Sequence, residues 1–423
     1  MVIITKIHNK YYNIENFKHP GGDEAIWHSF GRDATAMFEM YHPFANKEKI
    51  QNYLNKYEVS AEEGISHLLP GEDAMPQFNY DTDFSREIKT EVLNYFQQKA
   101  DKNNTSLRKI TKATTNRWML IGFLNLLRFF SIIWWLSGSI YGLFAFPLFS
   151  WLSSVNTFHD ACHFSLSDNS NINKFFSYFA IEYYTPLVWY YEHNISHHSY
   201  TNMERKDVDL YHGSSLVRYS KYTKFKLLYK FQYIFIIVPY LLSNIGTEIR
   251  NIIITIYKKE YFGIIPKYID LKSNKSELTD KTIFLIHFLL RYCYLWYWFN
   301  NIFYVLIPMF LSNILFMTIT QVTHLHEDTF HNEKDWYKHQ VLTSSNHSID
   351  SVFNFIFSGG LNYQIEHHLF PGVNHCHYPS IQPIVERICK KHDINYKKFN
   401  SYYDAFCSYY KHIKVLSKEK TNY

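Results

Sequence analysis

Three clusters of histidine lie far apart in the chain, and a fold that uses them must bring them to one place. The first is His159-Asp160-Ala161-Cys162-His163. The second, thirty residues on, is His193-Asn194-Ile195-Ser196-His197-His198, and the third is Gln364-Ile365-Glu366-His367-His368. Residues i and i+4 share a helix face. His159/His163 and His193/His197 are therefore each expected to aim two imidazoles at one point, with His198, His367 and His368 adding more. Seven imidazoles exceed the three or four ligands of a single zinc site. Imidazole binds iron, copper, nickel and zinc alike, so the count argues for two metal ions. A chain with 23 histidines yields a chance pair easily, but not three clusters each beside an apolar run.

The apolar runs set the side on which the clusters lie. Trp118–Ser137 and Ser139–Phe158 are long enough to span a bilayer of about 30 Å, and the second delivers the chain to His159. Arg128 interrupts the first and should face protein or snorkel. Phe175–Tyr191 is short and broken by Glu182 and Pro186, so it reads as interfacial or re-entrant. Ile283–Phe299, with His287 and Arg291 suited to an interior face, and Ile302–Val322 return the chain to the starting side. Phe231–Ile245 and Ile252–Ile265 are short and interrupted, and read as interfacial helices. Were one of them to cross, the third cluster would lie opposite the other two. Parity selects four spans.

The remaining composition narrows the function. Aromatics make up 19 %, with 36 Tyr and 35 Phe, and suit a membrane protein with an apolar slot. A net charge of +5 with no concentrated basic patch gives a nucleic-acid partner nothing to rest on. Five cysteines without a CxxC pair fit a reducing compartment. The stretch Met1–Lys6 is too short and polar for a signal peptide, so insertion must rest on internal spans.

The first 62 residues form a separate unit. His19-Pro20-Gly21-Gly22 is followed by Asp33–Phe38 and then by Tyr41-His42-Pro43. This resembles the cytochrome b5 family, a small α+β haem-binding fold. The resemblance implies that His19 and His42 are the axial ligands of a haem b. Two imidazoles with no open position make an electron-transfer haem rather than an oxygen-binding one. Phe17, Ile26, Phe38 and Leu54 are expected as pocket walls. The family carries a further strand and helix before the strand that here reads Val2-Ile3-Ile4-Thr5, and this implies a trimmed domain or an incomplete gene model. Residues 63–117 read as a connector. Its loop at Pro70–Pro76 leads to an amphipathic helix capped at Asp83, which is expected to dock on the following domain or at the membrane surface. Asp101–Thr115 follows as a polar, basic and solvated segment.

Taken together, the haem unit, the spans, and the stretches His159–His163, His193–His198 and Gln364–Pro371 resemble a cytochrome b5-fusion front-end fatty acyl desaturase. The resemblance implies a mainly helical, polytopic membrane domain at 118–413 and a polar tail at 414–423. It implies two irons held by His159, His163, His193, His197, His198, His367 and His368, which use O₂ to remove two hydrogens from a methylene pair. Gln364 stands where many relatives have a histidine and is a further ligand candidate. The family also takes a ligand from the end of its fourth span, which places His324. His326, His331, His339, His347, His375 and His377 read as supporting or surface residues. Asp160 and Glu366 read as groups that orient an imidazole through its free N–H. The implied substrate is a polyunsaturated acyl chain on a phospholipid or coenzyme A, with Δ5 or Δ4 chemistry favoured over Δ6. The implied electron source is cytochrome b5 reductase, since the chain has no nucleotide or flavin signature. The implied location is the endoplasmic reticulum, with the haem unit and histidines facing the cytosol. Two alternatives share the domain order: a sphingolipid long-chain-base Δ8 desaturase and a fused hydroxylase. A third, of another class, is a non-catalytic haem electron carrier.

Overall fold

A short antiparallel sheet opens the chain, in the order β1 (Ile4–Ile7), β2 (Lys10–Asn13), β3 (Glu58–Val59). The computed structural model describes residues 2–180, 185–211, 213–243, 245–246, 260–261, 265–266, 282–283, 285–329, 331 and 333–418. His8 and Asn9 join β1 to β2 and both take positive φ, the reversal that matches the twist of paired strands. Four short helices complete the α+β unit: α1 (Asp23–Trp27), α2 (Thr35–Tyr41), α3 (Lys47–Leu54) and α4 (Ala61–Ser66). Ile3, Ile7, Tyr12, Ile14, Phe30 and Leu54 form its core.

The helix α5 (Asp83–Lys102) begins one residue earlier than the sequence suggests. Thr82, not Asp83, is the cap: its hydroxyl accepts from the Ser85 amide, and Ser85 Oγ accepts from the Thr82 amide. This reciprocal pairing satisfies two amides that a helix start leaves orphaned. The buried stripe Phe84, Ile88, Val92 and Phe96 packs on Ile381, Val385 and Ile388 of the helix Tyr378–Lys391. That same core takes in Ala36 and Met40 of α2, so α5 docks on the catalytic side and the N-terminal unit shares its interior. The segment after α5 is not simply solvated. Arg108, in α6 (Leu107–Ile110), donates to the carbonyls of Pro20 and Asp168. Lys112 donates to those of Phe164 and Gly372. These bonds to backbone oxygens make the stretch a strap between the two halves.

Beyond the strap the chain is helical. α7 (Thr115–Leu136) and α8 (Gly142–Cys162) form a hairpin, and α8 packs against the helix Phe303–Gln321. Among the described residues, Thr115–Leu136 and Phe303–Gln321 are long and apolar enough to cross a membrane. α8 has the length, yet Ser150, Ser153, Ser154, Asn156, Thr157, His159 and Asp160 make its second half polar and fully buried. Protein partners satisfy that half. Ser153 donates to Asn125, Asn156 donates to the Ile356 carbonyl, and Arg117 donates to Asn156. Arg128 faces protein, donating to the Phe179 carbonyl. Of the expected span at 283–299, residues 285–299 are helical with a π turn at Leu290–Tyr294, and residue 284 lies outside the described residues.

The outward faces are apolar. Met119, Phe123, Phe129 and Phe130 on α7 are each more than half exposed, as are Leu285, Ile286, Trp296 and Tyr297. An apolar surface this extensive is one that lipid or protein covers. The stretch 227–242 is a run of short helices that exposes Leu227, Phe231 and Ile234 while burying Tyr229 and Gln232. Most of Ile252–Ile265 lies outside the described residues. Its described end is no helix, because Glu260–Tyr261 pairs antiparallel with Ile265–Pro266.

Phe96 is fully buried where α5 meets Phe44 and His377. Phe96→Ala is expected to cost about 3–5 kcal/mol through the cavity it leaves. The check is the thermal unfolding midpoint in detergent; a midpoint equal to the parent's would show that α5 is dispensable for stability.

Candidate metal centre

The three histidine clusters converge into one buried centre, and the backbone sorts them into two groups. His159 and His163 sit one turn apart at the end of α8, with ring centroids 4.8 Å apart. They meet His193 and His367 in a group whose ligand atoms all lie within 4.8 Å of one another. A second such group joins His197, His324 and His368, and a third joins His198 with His367 and His368. His198 therefore stands between the two sets.

The pairing expected of His193 and His197 does not hold. After the short helix Pro186–Trp189 the chain runs as a π-helix over Tyr190–His197, whose wider turn closes i to i+5. The His198 amide donates to the His193 carbonyl at 2.8 Å, and His193 Nε2 faces His198 Nε2 at 3.1 Å. His193 then turns toward His159 and His163, while His197 turns toward His324. One extra residue per turn lets six consecutive residues serve two sites.

The nitrogens face each other without a proton to share between every pair. His324 Nε2 lies 3.2 Å from His197 Nε2, 3.1 Å from His368 Nε2 and 2.7 Å from Gln364 Nε2. Metal–imidazole bonds of about 2.1 Å at right angles put neighbouring ligand nitrogens about 3 Å apart. His159 Nε2, His163 Nε2, His367 Nε2 and Gln364 Oε1 are buried without a hydrogen-bond partner. Cations held by the two groups would satisfy them.

The outer edges of the rings are held. His324 Nδ1 donates to the Thr343 carbonyl at 3.1 Å, and His368 Nδ1 donates to Gln340 Oε1 at 2.9 Å. His367 Nδ1 meets the Tyr378 hydroxyl at 3.2 Å, and His163 Nδ1 meets that of Tyr41 at 3.0 Å. His197 Nδ1 meets Asp207 Oδ2 at 3.1 Å, with Asp209 at 3.4 Å. Burial alone would lower His197, but the two carboxylates outweigh it and hold its pKa up. Fixing Nδ1 as the protonated nitrogen leaves Nε2 as the donor to a metal.

Of the two expected orienting groups, Asp160 holds an imidazole outside the three clusters and Glu366 holds none. Asp160 binds His375 at 2.8 Å and Asn374 at 2.9 Å, tying α8 to the loop after the third cluster. Glu366 accepts from Asn346 and Tyr396, and burial pushes its pKa up to about 7. Neither touches a cluster imidazole. The residues that do, Asp207, Gln340, Tyr378, Tyr41 and the Thr343 carbonyl, carry no signal in the sequence. They are single polar residues at no fixed spacing from the rings they hold. His339 Nε2 donates to the Thr201 carbonyl and His377 Nε2 to that of Lys112, both as support.

A second site lies in the N-terminal unit. A cleft of about 770 Å³ is lined by Phe17, His19, Ile26, Phe38, His42 and Leu54 among others. His19 and His42 face across it with ring centroids 5.9 Å apart. A metal bonded in line to both at about 2 Å per bond requires about 6 Å, so the pair fits a haem iron. His42 Nδ1 donates to the Phe38 carbonyl at 2.9 Å, which frees Nε2. Burial lowers His19 to about 4 and keeps it neutral, the form a ligand needs. A Cβ on Gly21 would fall 2.8 Å from His19 Cε1, so only glycine lets the backbone pass the ring.

Paired imidazole groups built for two metals, beside a bis-imidazole cleft, define a histidine-bound di-metal oxidoreductase with its own haem domain. The fatty acid desaturase family model matches residues 130–400, and the cytochrome b5-like heme/steroid binding domain model matches residues 3–61. The chain belongs to the fatty acid desaturase family, with a cytochrome b5-like domain fused at its N-terminal side. It is 29 % identical over 450 residues to acyl-lipid (8-3)-desaturase B of Dictyostelium discoideum, covering 97 % of this chain and 90 % of that one. It is 28 % identical over 449 residues to acyl-lipid (8-3)-desaturase of Mortierella alpina, covering 98 % and 94 %. Delta(5) fatty acid desaturase A of Dictyostelium discoideum is 26 % identical over 433 residues, covering 97 % and 89 %. No solved structure gives a significant match.

Two variants separate the sites. Gly21→Val is expected to displace His19 and abolish the haem absorption band while the iron content of the histidine centre stays at the parent level. Asp207→Asn is expected to weaken metal binding about 10- to 100-fold with haem unchanged, measured by metal analysis after dialysis against chelator; equal retention would show that Asp207 does not support the centre.

Proposed function

We propose that this enzyme is a front-end acyl desaturase, placing a new double bond between an existing one and the carboxyl end of a polyunsaturated acyl chain, with Δ5 or Δ4 regiochemistry. The observation that carries it is the sorting of the clustered histidines into two metal-sized groups beside a bis-imidazole cleft. The names of the relatives, (8-3)-desaturase and Delta(5) desaturase, support the regiochemistry.

His159, His163, His193 and His367 would hold one iron, and His197, His324 and His368 the other, with His198 between them. A half-turn of the Gln364 amide aims its unpartnered Oε1 at the point that His324 faces, making it an oxygen ligand of the second group. His19 and His42 would hold haem b. Bound iron supplies O₂ activation and hydrogen removal from an unactivated methylene pair. The chain's own residues do the rest. The carbonyl of Thr343, Gln340, Tyr378 and Asp207 fix ring tautomers. Phe158, Trp189 and Phe316 form an apolar wall beside the histidines that suits a methylene chain and excludes water.

The proposed topology has four spans, at Trp118–Ser137, Ser139–Phe158, Ile283–Phe299 and Ile302–Val322, with the centre at one membrane face. The convergence of all three clusters and the exposed apolar faces support it. The proposed units are residues 1–62, 63–117, 118–413 and 414–423. The proposed setting is the endoplasmic reticulum, cytosolic side, with cytochrome b5 reductase as electron source and the acyl chain on a phospholipid or coenzyme A.

The test is expression in a yeast host lacking polyunsaturated fatty acids, fed C18, C20 and C22 polyenes singly, with products located by mass spectrometry. A new double bond on the carboxyl side of an existing one is expected, and none in His367→Ala. A new Δ8 bond in long-chain bases alone would reassign the substrate to sphingolipids. No product from a metal- and haem-loaded enzyme would favour an electron carrier.

A further inference from the structure

The N-terminal unit is seated on the catalytic half. Phe44 stacks on Phe370 at 5.5 Å, His28 packs on Tyr190 at 4.2 Å, and Gly22 lies against Ser170. Phe164, Asn194 and Val373, all from the catalytic half, form part of the wall of the haem-type cleft. One contact differs from the rest in its chemistry. Tyr41 ends α2, directly before His42, and its hydroxyl lies 3.0 Å from His163 Nδ1. The same oxygen accepts from Asn194 Nδ2 at 3.0 Å, and Asn194 also donates to the Cys162 carbonyl.

We infer that the haem unit completes the metal centre: Tyr41 is a positioning residue that holds His163 in its metal-binding tautomer, so that seating of the N-terminal unit and metal retention are coupled. The inference rests on the di-iron reading above. His163 Nε2 points into the centre with no hydrogen-bond partner. With Nε2 given to a metal, the ring proton sits on Nδ1 and donates to the Tyr41 oxygen, which has two lone pairs for His163 and Asn194. Among the described residues, every other hydrogen-bond partner of a ring Nδ1 in the centre comes from the catalytic half, and that of His163 comes from the N-terminal unit. The arrangement also sets His42 and His163 one residue and one hydrogen bond apart.

Tyr41→Phe removes the hydroxyl and keeps the ring that packs on Phe164 at 5.6 Å. In the purified full chain loaded with ⁵⁷Fe and haem, release of iron to a ferrous chelator is expected to quicken about tenfold. One of the two Mössbauer iron signals is expected to change, while the haem band and haem per chain match the parent. Iron release and both signals equal to the parent's would overturn the inference and leave the di-iron reading intact. Loss of haem together with iron would assign the effect to unseating of the unit, and would overturn the role of the hydroxyl. A parent chain that holds no iron would defeat the di-iron reading itself.

Discussion

Buried imidazoles that present bare nitrogens to one another at about 3 Å are unstable without a cation. Each unpartnered buried polar atom costs about 1–3 kcal/mol, and the centre gathers several, on His159, His163, His367 and Gln364. Five of the rings, those of His163, His197, His324, His367 and His368, are braced from behind by a carbonyl, amide, hydroxyl or carboxylate that fixes which nitrogen faces inward. The metal centre is therefore a property of the braces as much as of the histidines. Braces and rings come from α8, the π-helix, the segment after Gln321, the third cluster and α2. No single element contains enough of them to bind a metal alone.

This dependence explains the packing around the centre. The polar half of α8 is wrapped by Arg117, Asn125 and the Ile356 carbonyl, which lets a helix of spanning length carry His159 and His163 into a protein interior. The long core from α5 to the helix Tyr378–Lys391 clamps the third cluster from the other side. Arg108 and Lys112 bind backbone oxygens of both halves and hold the haem unit where its cleft shares a wall with the catalytic part. A donor that is seated rather than loosely tethered has a fixed distance to the centre, not merely a raised local concentration.

Several local features were legible because they depend on short-range geometry. The i, i+4 spacing of His159 and His163 gave the right pair, and the walls Phe17, Ile26, Phe38 and Leu54 do line the cleft. The same rule failed for His193 and His197, since nothing in the sequence distinguishes a π-helix from an α-helix over Tyr190–His197. Asp160 does orient an imidazole, that of His375 rather than a ring of the three clusters, whereas Glu366 orients none. Adjacency in the chain does not tell which side of a helix a carboxylate faces, and both turn away from the rings to hold His375, Asn346 and Tyr396.

The sequence by itself determined the ingredients: two metal-binding chemistries, seven clustered imidazoles, a bis-histidine haem unit and long apolar segments. Residue type, local spacing and hydrophobic length suffice for these. Only the tertiary structure decided how the imidazoles divide between two sites, that His324 joins His197 and His368, and that Tyr41 of the haem unit reaches His163. Those facts depend on contacts between residues 40 to more than 120 positions apart. Such contacts are fixed by how whole helices pack, and packing leaves no periodic trace in the chain.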